Sequence, residues 1–194
     1  MMAQMQQEKD RLDLTPKKFN MWIFIFTSFM LFAALTSAFI VYSGGAGHAL
    51  NVTLPPVFIY STAVILLSSV TLFLASKAAK ALQFAQQRLY LWITILLGIA
   101  FCVLQVNGWY ILTYEMGIYF SNPNASRSFI YAFTGIHLVH IFAGILLLLN
   151  TLIGSYRNKS QVMNLYKMEM SGIFWHFVDI IWIYLYVFLL LNQN

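Results

Sequence analysis

The segment Ser171–Asn192, SGIFWHFVDIIWIYLYVFLLLN, is long enough to cross a bilayer and still carries an imidazole, His176, and a carboxylate, Asp179. Ionisable groups within hydrocarbon cost about 2.5–3.5 kcal/mol each on insertion scales, so a chain that keeps two has a use or a partner for them. Four other apolar segments supply the surroundings in which these groups are tolerated.

The composition agrees with a membrane setting. Of the 194 residues, 60% are hydrophobic and 9% charged, against about 25% charged in an ordinary globular domain. A soluble domain is excluded, and the chain reads as an all-α integral membrane protein. Its formal charge of +5 does not call for nucleic acid, because basic residues of membrane proteins gather in cytoplasmic loops. Cys102 is the one cysteine and lies in an apolar run, so no intrachain disulfide forms. The apolar run after Lys18 is too long for the core of a signal peptide and lacks a small-residue cleavage pattern, so it reads as a retained first span.

Residues 1–19 form a polar segment, followed by a membrane domain over 20–194. Its spans are expected at about 20–42, 57–76, 89–112, 128–153 and 171–192. Each has about 20 residues or more, enough for a hydrocarbon core near 30 Å thick. The breaks fall at Ser43–Gly47, at Pro55-Pro56, in the basic connector with Lys77, Lys80 and Arg88, and at Asn122-Pro123-Asn124. The last break is a connector with Arg157, Lys159 and Lys167. With Lys9, Arg11, Lys17 and Lys18, ten of the eleven basic residues then share one side, and only Arg127 lies on the other. The alternation puts the N-terminus in the cytoplasm and the C-terminus outside. In the first span, Ala33 and Ser37, and Ala34 and Ala38, recur at a spacing that permits close helix approach or simply reflects a chain rich in Ala and Ser.

Two polar ridges are the candidates for chemistry. Thr134, His137 and His140 stand three apart in the fourth span, drifting about 60° per step around the helix. Glu169 and His176 are seven apart and share a face, with Asp179 three beyond. The ridges suggest a lined cleft or a helix–helix hydrogen-bond network; His176 and Asp179 satisfy each other or a neighbouring helix, for which Gln105, Asn107, Thr27, Ser28, Thr36 and Ser37 can supply partners. Of the four histidines, His48 falls in an outside loop. Three imidazoles are too few for a copper-plus-haem oxygen-reducing centre, and one cysteine too few for a thiolate copper site. The residues therefore favour structural or lipid-facing hydrogen bonding over metal ligation. A proton relay through His176 and Asp179 stays open, but little titratable material continues outward beyond them. No phosphate loop and no nucleophile elbow is present.

WHFVDIIWIYLY (175–186) closely resembles the last-helix signature of subunit III of the haem–copper oxidases, and TGIHLVHIFAG (134–144) resembles the preceding helix. WIFIFTSFMLFAAL (22–35) is similar to the first helix of five-helix bacterial members; LLSSVT (66–71) and the region from Gly98 to Trp109 resemble the middle helices. The resemblance implies an accessory subunit with no redox centre of its own, haem and copper being held by partner subunits. It implies packing on the catalytic subunit I beside other oxidase subunits, phospholipid held in an interhelix cleft, support of proton uptake, and the bacterial inner membrane. His137, His140, Glu169, Trp175, His176 and Asp179 are the positions it assigns to the cleft and its support. Two departures stand out: Ser28 and Gly108 occupy positions where many members carry carboxylates. A cytochrome c oxidase is the leading expectation, with a quinol oxidase as alternative and an independent small transporter or channel more remote. Membership of a larger respiratory supercomplex is left open.

Overall fold

The computed structural model describes residues 15–44, 50, 52–120, 124–156 and 161–193. Buried in hydrocarbon, an apolar segment must satisfy its backbone internally, and the helix is the local solution. The chain forms α1 (Thr15–Ser43), α2 (Val57–Lys80), α3 (Phe84–Tyr110, prolonged by a π-helical turn Ile111–Glu115), α4 (Ala125–Tyr156) and α5 (Gln161–Leu191). All five helices are long and apolar enough to cross a membrane.

Each helix outruns the apolar segment inside it. Lys17 and Lys18 lie in α1, Lys77 in α2, Arg88 in α3 and Lys167 in α5, rather than in polar connectors. Hydropathy falls where a helix leaves hydrocarbon, but its backbone bonds continue into the interface. The outer loop expected from Thr113 is likewise helical through Glu115, and turns only at Gly117, whose φ of +64° suits glycine. His48, Arg157 and Lys159 lie outside the described residues.

Helices α2, α3, α4 and α5 pack as a ring in that order, with α5 closing onto α2, while α1 rests outside on α4 and α5 and touches neither α2 nor α3. At one end Lys18 meets Glu169, Gln161 reaches the Ala79 carbonyl, and Arg88 reaches Ser155, so the basic helix ends are gathered together. At the other end Tyr42 Oη accepts from the Ala125 amide, and Tyr131 joins Thr113 and the Ile118 carbonyl.

The buried residues of α1 form one stripe, Ser28, Phe32, Thr36 and Phe39. Ala34, Ser37 and Ala38 face outward, so the small-residue spacing makes no close approach to another helix of this chain. Aromatic edges do that work instead: Phe39 meets Phe129, Phe133 and Phe188 with ring centroids 5.4–6.0 Å apart.

Candidate functional site

Trp175 occupies the centre of the four-helix ring. Its indole is fully buried, and Nε1 donates to Ser68 Oγ of α2 at 3.0 Å. The ring fits because two facing positions lack side chains. A Cβ at Gly98 of α3 would stand 2.8 Å from the indole, and one at Gly144 of α4 would stand 2.9 Å away. Trp175 thus bridges the diagonal between α5 and α3, which make no backbone-level contact.

His137 lies in the same interior. It is wholly buried among Trp182, Phe101 and Phe32, with centroids at 5.0, 5.8 and 6.3 Å, and neither ring nitrogen has a hydrogen-bond partner. Trp182, the indole packed on it, donates to Thr62 of α2 and so is satisfied elsewhere; on α3, Trp109 donates to Thr134.

His140, one turn along, points to α1. Its Nδ1 is 2.9 Å from the Ile136 carbonyl, which can only accept, so that nitrogen carries the proton. Nε2 then accepts from Ser28 Oγ at 3.3 Å. Ser28 therefore serves the imidazole where the resemblance sets a carboxylate.

His176 and Asp179 turn toward α2. His176 Nδ1 and Ser69 Oγ are 2.6 Å apart. Ser69 also lies beside Asp179, without a hydrogen bond of good geometry to either of the buried carboxylate oxygens. Glu169, at the basic end, takes both oxygens to Lys18 Nζ at 2.7 and 2.8 Å, tying α5 to α1 on the surface.

The two ridges do not meet in one network. Thr134 serves Trp109, His137 sits among rings, His140 faces α1, and His176 faces α2. Of the expected partners, Ser28 serves His140, Thr36 meets Tyr184 at 2.8 Å and Gln105 donates to Ser61 at 2.9 Å. Thr27 bonds only its own helix, and none of the six reaches His176 or Asp179. The partner that does, Ser69, is one of two adjacent serines in an apolar run, and only helix pairing singles it out. Gly108 is backed by the ring of Phe58, 3.1 Å from where a Cβ would stand. Among the described residues no three His, Cys, Asp or Glu side chains are grouped to hold a metal ion.

Five membrane-length helices, four of them ringed about a buried tryptophan and the first lying outside, define a polytopic membrane protein whose polar residues join helices to one another. The family model for cytochrome c oxidase subunit III matches residues 14–192, and the chain belongs to that family. Cytochrome c oxidase subunit 3 of Bacillus subtilis is 31% identical, with 92% of this chain and 87% of that protein aligned. Its counterpart in Alkalihalophilus pseudofirmus is 29% identical over 92% of this chain and 88% of its own length. Subunit 3 of the cytochrome bo(3) ubiquinol oxidase of Buchnera aphidicola is 30% identical, covering 94% of this chain and 90% of that protein.

Proposed function

We propose that the chain is the accessory subunit III of an aerobic terminal oxidase, contributing no redox centre and packing on catalytic subunit I in a bacterial cytoplasmic membrane. The observation that carries this reading is that each intramembrane imidazole is committed locally: His137 to aromatic rings, His140 to Ser28 and Ile136, His176 to Ser69. One lies in the interior and the other two face α1 and α2, an arrangement suited to holding helices together while partner subunits carry haem and copper. The basic end faces the cytoplasm on this reading, as the excess of Lys and Arg there favours.

Phospholipid is held in the groove between α1 and α2, which both rest on α5 without touching each other. His176 and Glu169 are the surface-reaching members of the site along α5; Trp175, His137 and Asp179 support the helices from inside, and His140 fixes α1. Through this groove the subunit stabilises the enzyme and supports proton uptake by its partner. The electron donor on this reading is cytochrome c, as the name of the Bacillus subtilis relative has it; a quinol donor is the alternative, carried by the Buchnera relative's nearly equal identity.

The test is purification in mild detergent through a tag on this chain, with an optical spectrum and identification of the co-purifying chains. A haem-bearing complex with a large catalytic subunit is expected, and its donor-binding subunit separates cytochrome c from quinol. A colourless, homogeneous protein that moves a solute in liposomes overturns the reading.

A further inference from the structure

The geometry points to a binding site for a phosphate-class anion at the end of the bundle opposite the basic one, held by Arg127. This site lies away from the α1/α2 groove and does not depend on the oxidase reading. Arg127 is the basic residue the charge pattern leaves alone, in the first turn of α4. A guanidinium offers five N–H donors in a fixed fork. Yet its buried Nε has no hydrogen-bond partner, and the ion pair among the described residues is elsewhere, between Lys18 and Glu169.

Arg127 lines a cavity of about 240 Å³ with Val52, Thr53, Met116, Ile118 and Gln193. Arg127 supplies the charge, Thr53 and Gln193 can add hydrogen bonds, and the other three walls are apolar. The positive end of the α4 dipole adds to the attraction for an anion in this first turn. The acidic residue nearest in sequence to the lining, Glu115, makes no ion pair with Arg127.

Size and level select the anion. Whole small-molecule sites run to about 300–1,000 Å³, so a cavity of about 240 Å³ takes a headgroup-sized ligand with the rest outside. Tyr114, Tyr119 and Phe120, which flank the lining residues in sequence, are exposed. Exposed aromatic side chains at helix ends sit at the level of lipid headgroups, where the abundant anion is the phosphodiester. Arg matches phosphate through paired hydrogen bonds.

The test uses the protein as it is extracted in mild detergent, with whatever chains accompany it, and inorganic phosphate and dihexanoylphosphatidylglycerol as separate probes. Binding is read by titration on the native protein, Arg127→Gln and Arg127→Lys. Charge-assisted hydrogen bonds are worth about 1.5–3 kcal/mol, so Arg127→Gln should weaken binding about tenfold or more, with Arg127→Lys between the two. Should Arg127→Gln fail to assemble, protection of Arg127 from phenylglyoxal on the native protein, read by peptide mass spectrometry, replaces it. Protection by the lipid alone identifies a headgroup site; protection by both probes identifies a general phosphate site. Equal affinity in native protein and Arg127→Gln, or no binding and no protection by either probe, overturns the proposal.

Discussion

The indole of Trp175 is packed so closely on Gly144 that a single methyl there would stand 2.9 Å from Cε3 and 3.1 Å from Cζ3. The same ring leaves 2.8 Å at Gly98. Two glycines on adjacent helices are thus the mould for one side chain. Overpacking a filled core costs about 1–3 kcal/mol. Gly144→Ala should lower the melting transition of the detergent-purified complex accordingly, and Trp175→Phe should reduce that loss. Gly172, with nothing within 4 Å of its Cβ direction, is the control. Gly172→Ala should be neutral or stabilising by up to about 1 kcal/mol.

His137 gives a prediction of opposite sign. Its two nitrogens are buried without partners among three aromatic rings. Replacing a buried, unsatisfied polar group by an apolar one of similar size is near neutral or stabilising. His137→Leu should therefore retain or raise thermal stability. A loss of about 2 kcal/mol or more would instead mean that water satisfies the imidazole.

His176 and Ser69 are the cross-helix pair to break. In a double-mutant cycle, His176→Leu and Ser69→Ala should each destabilise, with a coupling of about 0.5–1.5 kcal/mol as for a typical protein hydrogen bond. On the accessory reading, assembled variants retain the native haem spectrum and lose bound phospholipid. An altered haem spectrum in fully assembled enzyme would count against that reading.

Gly108 concerns the departure noted in the sequence. Phe58 is buried, stacks on Trp182 at 12° between planes, and stands 3.1 Å from the missing Cβ. Gly108→Glu should cost stability by about 1–3 kcal/mol, and Phe58→Ala should recover part of it. An unchanged melting transition for Gly108→Glu would show that the ring can step aside.

The five spans were legible because hydrocarbon imposes one requirement, internal backbone bonding, on any apolar run of sufficient length. Their ends were not, since Lys18, Lys77 and Lys167 extend helices into water without changing the backbone pattern. His176 and Asp179 announced themselves by their cost in an apolar run. Their neighbour Ser69 did not, because a serine can bond its own helix and shows no cost in sequence. The resemblance brought Trp175 forward, but Gly98 and Gly144 gained meaning only when helices α3 and α4 faced the same ring. The ion pair of Lys18 with Glu169 joins residues 151 apart, and no local pattern anticipates it.

The placement of α1 has a consequence for how the protein is made. Helix α1 precedes the other four along the chain, yet it rests on α4 and α5, the farthest from it in sequence, and makes no backbone-level contact with α2 or α3. Helices α2 and α3 can close on each other as soon as they are inserted, whereas α1 must wait alone in the bilayer. Thr36 makes that wait tolerable, its hydroxyl already bonded to the Phe32 and Ala33 carbonyls of its own helix. Synthesis that stops before residue 125 would then yield a paired α2–α3 hairpin beside an unattached α1, and only the arrival of α4 and α5 would draw α1 into place.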